Sequence, residues 1–282
     1  MTFRNFLKIY TEKCEKLNLE YETVKLLVLE LSNYNGADFL MHIDDEIEES
    51  LLRILEEAVN RYIVNFEPVQ HILGYSYFYG YKFKVSKDVL IPRPETEELV
   101  GYVLEYYDEI FKNKKVKVCD IGTGSGCIAV SLAKEEPNME LAASDISEAA
   151  LEIAKYNALS NNANVTFYQG NMLDELIKNN LKFDILVSNP PYIDKSEDID
   201  PLVEQNEPHL ALYAENLGMQ FYEEILSNAK HIMNTPNIIL FEHGYKQRQL
   251  MLNLIDKYYP NSDCEIIKDL SGNDRFTIII NK

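Results

Sequence analysis

Between Asp45 and Tyr62 the apolar side chains Ile47, Leu51, Ile54, Leu55, Ala58, Val59 and Tyr62 recur at three- and four-residue steps. That period places them on one face of a helix. Asp45, with Glu48 three residues on, predicts a capping box with Asp in place of Ser or Thr. Thr23 to Leu31 reads as another helix, and residues 1–66 carry almost no alternating pattern. The spacing therefore predicts a small domain of four or five helices. At residue 75 the pattern changes to "YSYFYGYKFKVSKDVLI", rich in aromatic and β-branched residues with Gly80 as a turn, which predicts a hairpin. Pro92 and Pro94 then stiffen the approach to a helix running from about Glu95 or Thr96 to Phe111.

From Lys115 onward strand and helix patterns alternate. Strands are expected at 116–121, 139–145, 164–169, 183–188, 237–242, 264–268 and 275–281, and helices at 126–135, 147–161, 172–179, 216–233 and 244–259. This order predicts an α/β fold with a mainly parallel sheet covered on both faces. The last two strands flank the turn "DLSGND" with no helix between them, so the final strand is expected to be antiparallel.

The bulk numbers narrow the partners. In 282 residues the formal net charge is −19, and both halves of the chain are acidic. No Lys/Arg cluster of the kind that displaces counterions from phosphates is visible, which argues against a nucleic-acid partner and suits a basic protein partner. Cys14, Cys119, Cys127 and Cys264 form no CxxC pair and fit no zinc spacing, so they read as buried or reduced thiols, and no metal site is expected. No apolar run reaches the roughly 18 residues of a membrane span, and the start lacks the apolar core of a signal peptide; a cytoplasmic address is expected.

"VKVCDIGTGSGCIAVSLA" runs from strand through a glycine-rich turn into a helix. Gly122, Gly124 and Gly126 permit a tight turn and close approach of a ligand to the backbone. Their spacing is G-x-G-x-G, an imperfect match to the G-x-G-x-x-G of dinucleotide sites. Asp120 stands before the first glycine, where a carboxylate repels phosphate and favours an ammonium or another cation. S-adenosylmethionine fits, since it carries an ammonium and a sulfonium and no phosphate. Asp145 ends the next strand, where an acidic side chain accepts bonds from ribose hydroxyls; the plainer reading makes it a cap for the following helix.

"VSNPPYID" ends the fourth strand of the set, on the same sheet edge as the glycine turn. In doubly wound sheets that edge holds the ligand. A planar –NH2 is a poor nucleophile because its lone pair is delocalised. The Asn189 side-chain oxygen and the Pro190 carbonyl can accept its two N–H bonds, and adjacent prolines hold Pro190 rigid. Tyr192 can stack on the flat group. Positioning then supplies most of the rate.

These residues resemble a known family, the release-factor glutamine methyltransferases (PrmC/HemK). The resemblance rests on "EPVQHILGYSYFYGYKFKVSKDVLIPRPETEELV", "DIGTGSGCIAVSLA", "DISEAALEIAKYNA", "FDILVSNPPYI", "NEPHLALY" and "FEHGYKQ". It implies a Rossmann-like S-adenosylmethionine-dependent methyltransferase domain at 92–282, a hairpin linker at 75–91 and a helical substrate-binding domain at 1–74. It implies methylation of the glutamine in the Gly-Gly-Gln loop of class-1 release factors. The turn of Gly122, Thr123, Gly124, Ser125 and Gly126, with Asp120, Asp145, Met172 and Asn189, would hold the cofactor. Asn189, Pro190, Pro191 and Tyr192 would line the glutamine pocket, with Phe78, Arg93, Pro94, Glu95 and Thr96 as its wall. Another reading of Arg93 and Glu95 is a surface pair at a helix start. The NPPY element is shared with adenine-N6 methyltransferases of DNA or RNA, which makes that activity the alternative; a binding module without turnover is a third. The family often carries a Gly-Gly pair and Asp-Gly where this chain reads Tyr213-Ala214-Glu215-Asn216-Leu217-Gly218, so a differently shaped loop is expected there.

Overall fold

The computed structural model describes residues 1–282. The helical start becomes five helices: α1 (Phe3–Leu17), α2 (Glu22–Ser32), α3 (Gly36–His42), α4 (Glu49–Asn65) and α5 (Val69–Leu73). Phe6, Leu27, Phe39, Leu55 and Val59 are buried in their shared core. The capping box at Asp45 does not form. Thr2 pairs with Glu46 in an isolated antiparallel bridge, which keeps that stretch extended. Helix α4 starts only beyond it, after Glu48, which makes no side-chain cap. The Asp45 carboxylate is taken instead by His42 Nδ1 at 2.7 Å.

The chain divides into two compact units, residues 1–75 with 200–206 and residues 76–199 with 207–282. The short helix α10 (Pro201–Asn206) thus joins the helical unit, where Asn206 Nδ2 donates to the carbonyls of Phe66 and Leu202, both at 2.9 Å.

After α5 come β1 (Tyr75–Phe78), whose first residue still belongs to the first unit, and β2 (Tyr81–Lys84). Tyr79 and Gly80 both have positive φ, 50° and 78°, as a two-residue type I′ hairpin loop requires. Helix α6 (Pro94–Phe111) follows, with proline at its first position. Then come β3 (Val116–Ile121), α7 (Cys127–Glu135), β4 (Met139–Asp145), α8 (Glu148–Ser160), β5 (Val165–Gln169), α9 (Asp174–Lys178) and β6 (Phe183–Ser188). A short parallel pair, β7 (Ile193–Asp194) and β8 (Tyr213–Ala214), brackets α10 and α11 (His209–Leu212). The chain ends with α12 (Gln220–Asn228), β9 (Met233–Glu242), α13 (Arg248–Tyr258), β10 (Asp263–Lys268) and β11 (Asp274–Asn281). The helix expected at 216–233 is shorter, because Asn216, Leu217 and Gly218 all adopt positive φ before it.

The seven-stranded sheet has the order β10-β11-β9-β6-β3-β4-β5. Strand β11 is antiparallel to both neighbours and the rest of the ladder is parallel, as the sequence pattern predicts. Val118, Cys119, Ile121, Ile185, Leu186, Ile239 and Leu240 are fully buried, which explains why these strands read as continuous apolar runs. Chain order reverses between the adjacent strands β3 and β6, and that switch point places the crevice beyond their C-terminal ends.

Asn157 of α8 ties the hairpin to this crevice. Its Oδ1 accepts from the Lys84 amide at 2.7 Å, and its Nδ2 donates to the carbonyls of Lys84 at 3.0 Å and Ser125 at 2.9 Å. A buried carboxamide with its oxygen and nitrogen both bonded to backbone fixes β2 and the glycine turn to one helix.

Candidate active site

A cavity of about 400 Å³ opens over the C-terminal ends of β3, β4 and β6. The turn after β3 forms one wall through Gly122, Thr123, Gly124 and Ser125. Gly122 and Gly124 sit at φ 71° and 53°, and a Cβ at either would meet nothing within 4 Å. Backbone is thus bared to open space on that wall. Gly126, at φ 82°, has a different reason: a Cβ there would stand 3.1 Å from Ala154 Cβ, where α7 and α8 pack.

Asp120 lies beneath the turn, fully buried, and not on the cavity wall. Its Oδ2 accepts from Thr123 Oγ1 at 2.6 Å, while Oδ1 is buried without a hydrogen bond. Burial pushes its pKa up to about 7, against the opposing Thr123 bond and Ala129 amide. Asp145 does reach the wall. Its Oδ2 accepts from the Gly124 amide at 2.8 Å and its Oδ1 from the Ser147 amide at 2.9 Å. It therefore caps locally and lines the cavity at once, and each oxygen keeps a lone pair for a further donor. Met172 also lines the cavity, at φ 41°, and its carbonyl accepts from Ser144 Oγ at 3.0 Å. A non-glycine residue held in the left-handed region is a strain that clusters at binding sites.

Asn189 follows β6 on the opposite wall, beside Pro191. Its Nδ2 donates to Thr96 Oγ1 at 3.2 Å, and Thr96 Oγ1 donates to Glu242 Oε2 at 2.7 Å. Glu242 is 2% exposed, and burial pushes its pKa up to about 7 despite the Thr96 bond and the Arg275 charge. Arg93 lines the cavity too, and pairs with the buried Glu207 and not with Glu95. Glu207 also accepts from the Ile91 amide at 3.2 Å. Pro190 is buried, Pro94 is exposed and Glu95 is half-buried, all three off the cavity wall. Phe78 lies in the core cluster of α6 and the sheet. Tyr192 packs partly buried against the core on the other face, and its carbonyl accepts from Gln247 Nε2 at 2.7 Å. Thr96, Glu207, Glu242, Gln247 and Asn157 are thus buried polar groups that brace the site. Thr96 was expected as pocket wall; the other four lie inside "NEPHLALY", "FEHGYKQ" and "DISEAALEIAKYNA", where short polar stretches carry the only signal.

Asp120 and Glu242 titrate near 7 in the fold, above their ordinary values of 3.8 and 4.5. Such groups stabilise the fold fully below their unfolded pKa, and that contribution is lost as pH rises through the folded one. Each should cost on the order of 3 kcal/mol of stability between pH 4 and pH 8. Urea titrations across that range should show Asp120→Asn and Glu242→Gln each flattening the decline.

Comparison with known proteins agrees with this geometry. Residues 106–211 match the family description "Methyltransferase small domain", and residues 12–74 match "PrmC N-terminal domain". The release factor glutamine methyltransferase of Bacillus subtilis is 41% identical over 86% of this chain and 89% of its own. That of Staphylococcus aureus is 35% identical over 93% of this chain and 92% of its own. The chain belongs to the release factor glutamine methyltransferase family. A methyltransferase from Pyrococcus furiosus superposes with a TM-score of 0.51 at 19% identity, over 84% of this chain and 99% of that one, a likeness of fold. No helix is long and apolar enough to cross a membrane.

The segment that departs from the family's glycine pattern is locally strained. Asn216 and Leu217 hold φ 57° each without glycine, and only Gly218, at φ 80°, is a glycine. Gln247 Nε2 donates to the Leu217 carbonyl at 3.2 Å as well as to Tyr192, and Gln247 Oε1 accepts from the Gly244 amide at 2.9 Å. One buried carboxamide therefore holds both the Asn-Pro-Pro-Tyr loop and the 213–218 segment.

Proposed function

We propose that this protein transfers a methyl group from S-adenosyl-L-methionine to the side-chain amide nitrogen (N5) of the glutamine in the Gly-Gly-Gln loop of class-1 release factors. The observation that carries the reading is the placement of Asn189, with its –NH2 turned to Thr96, across one cavity from the glycine turn and Asp145.

The residues suit the cofactor. The bared backbone of Gly122 and Gly124 leaves room for a ligand, and the Asp145 carboxylate on the wall favours hydroxyls or an amine over phosphate. Arg93, a cation on the wall, is paired with Glu207 and offers a phosphate little. The 122–126 turn, Asp145, Met172 and Asn189 would hold the cofactor, with Asp120 shaping the turn through Thr123. When bound, S-adenosyl-L-methionine supplies a methyl group already activated on a positively charged sulfur.

The protein's own part is to orient the acceptor. Asn189 Oδ1 and the Pro190 carbonyl accept the two N–H bonds of the glutamine amide and turn its nitrogen lone pair toward the donor. Pro191, Arg93 and Thr96 wall the acceptor side, with Pro94 and Glu95 setting the start of α6 and Phe78 packing behind it. Tyr192, its carbonyl pinned by Gln247 and its ring packed against the core on the other face, fixes the end of the loop behind the acceptor side. No base is needed before transfer, because the methylated nitrogen loses its proton readily.

The test is mass spectrometry of a release factor incubated with enzyme and cofactor, beside DNA and RNA oligonucleotides under the same conditions. One methyl on the Gly-Gly-Gln glutamine is expected; methylation of the oligonucleotides alone would sink the reading. Asp145→Ala should weaken cofactor binding by about 10- to 100-fold, the worth of one or two hydrogen bonds to a charged group. Calorimetry showing unchanged affinity would remove Asp145 from the site.

A further inference from the structure

The carboxamide of asparagine has nearly the same shape in its two flips, and its nitrogen and oxygen exchange places between them. Only one flip offers an acceptor to an incoming –NH2. Something must therefore choose between them at Asn189. The register of the sheet supplies the means. Ser188 of β6 pairs with Phe241 of β9, so Asn189 and Glu242 emerge side by side from adjacent parallel strands. Thr96, third in α6, covers both.

We infer that Glu242, acting through Thr96, is a positioning residue that sets the flip of Asn189 so that Oδ1 faces the acceptor amide. The inference rests on the reading given under Proposed function. An ionised carboxylate only accepts hydrogen bonds. The Thr96 hydroxyl hydrogen is committed to Glu242 Oε2 at 2.7 Å. The Thr96 oxygen can then only accept, and what it accepts is Asn189 Nδ2 at 3.2 Å. The order N–H to O–H to carboxylate runs one way, and Oδ1 is left on the cavity side. The opposite flip would set Oδ1 against the lone pairs of Thr96.

Protonation reverses the order. A neutral Glu242 can donate to Thr96, whose hydroxyl is then free to donate to Asn189 Oδ1 in the wrong flip. The charged and titratable groups that act on Glu242 or feel its charge are Arg275 of β11, Glu95 of α6, Tyr192 of the loop, Tyr222 of α12 and Cys127 of α7. The Thr96 hydroxyl, the Arg275 charge and the nearby Asn189 –NH2 itself favour the ionised form, and Glu95 opposes it. Burial, the largest influence, brings the titration to about 7. The relay is therefore set for transfer above neutral pH and loosened below it.

Two measurements test this. In 15N-labelled enzyme, the Asn189 side-chain –NH2 signals, identified by their loss in Asn189→Ala, should shift with pH around a midpoint near 7. They should not do so in Glu242→Gln. In steady-state transfer to a release factor, Glu242→Gln should lower kcat by about 10- to 100-fold, the scale of a small misplacement at a reacting centre. It should also abolish the rise of kcat with pH, while cofactor affinity changes by less than about threefold, under 0.7 kcal/mol. Thr96→Val should lose turnover similarly, and Thr96→Ser should restore it. A wild-type –NH2 signal that ignores pH, or Glu242→Gln with wild-type kcat and pH profile, would overturn the relay. If wild-type enzyme places no methyl on the release factor, the functional reading falls, and the –NH2 titration still decides the relay. Should Glu242→Gln not fold, the wild-type titration and the Thr96 pair decide it.

Discussion

Asn189→Ala should lower the rate of methyl transfer by about 10²- to 10³-fold, the usual effect of removing one preorganised polar group from a reacting centre. Cofactor affinity should fall by much less, about tenfold at most, the worth of the one contact that Asn189 makes with it, because the turn and Asp145 on the facing wall stay intact. The asymmetry follows from the chemistry of an amide nitrogen. Its lone pair is conjugated, and rate is gained only when both N–H bonds are held and the nitrogen is aimed. Removing Oδ1 leaves the Pro190 carbonyl as a single acceptor, around which the amide can rotate. The truncation also takes away the –NH2 that Thr96 Oγ1 accepts, without disturbing the bond between Thr96 and Glu242. The fold should therefore survive, with a stability change of about 1 kcal/mol, the worth of one neutral hydrogen bond. Single-turnover transfer of labelled methyl, beside calorimetry of cofactor binding, separates the two effects. Near-wild-type transfer would end the assignment of Asn189.

How much of this was legible in the residues depends on how local the signal is. The glycine turn, Asp145 and Asn189 each stand where a strand ends, so the apolar runs before them located them on the sheet edge. The antiparallel last strand was legible too, because "DLSGND" leaves no room for a crossover helix. Glu242 was not, although it ends a strand in the same way. Its meaning comes from Thr96, 146 positions away, and from a register that only the folded sheet defines. Asn157 and Gln247 are harder still: a single carboxamide, inside α8 or just before α13, carries no pattern, and both matter through backbone groups of distant segments.

Misreadings have local causes as well. Asp45 and Glu48 have the right spacing for a capping box, yet the bridge between Thr2 and Glu46 holds the chain extended there and delays the helix. Residues 200–206 lie inside the catalytic unit's sequence but belong to the helical unit, and no composition shift marks the exchange. In the 213–218 segment Asn216 and Leu217 take up left-handed backbone without glycine, which Asn tolerates and which costs Leu217 about 1 kcal/mol or more.

That leaves Gly218 as the position with least freedom, and Gly218→Ala should be among the most damaging single substitutions in the catalytic unit. A Cβ there would lie 2.1 Å from the Tyr192 carbonyl oxygen and 2.3 Å from Gln247 Nε2. Neither is a flexible tip. The oxygen is backbone of the Asn-Pro-Pro-Tyr loop, and the nitrogen is held at 2.7 Å to that oxygen and 3.2 Å to the Leu217 carbonyl. Something must move, and the loop end at Tyr192 takes the push, three residues from Asn189. Overpacking together with φ 80° should cost about 2–4 kcal/mol. A shift of the loop should lower kcat/KM by about 100-fold. Gly272→Ala is the matched control. It has φ 83° in the turn between β10 and β11, and nothing stands within 4 Å of its Cβ. It carries the backbone strain alone, about 1 kcal/mol, far from the cavity. Urea denaturation and steady-state kinetics on the two variants separate strain from collision. Equal losses of stability with unchanged turnover in both would mean that the Tyr192 carbonyl yields freely, and that Gln247 does not hold the loop.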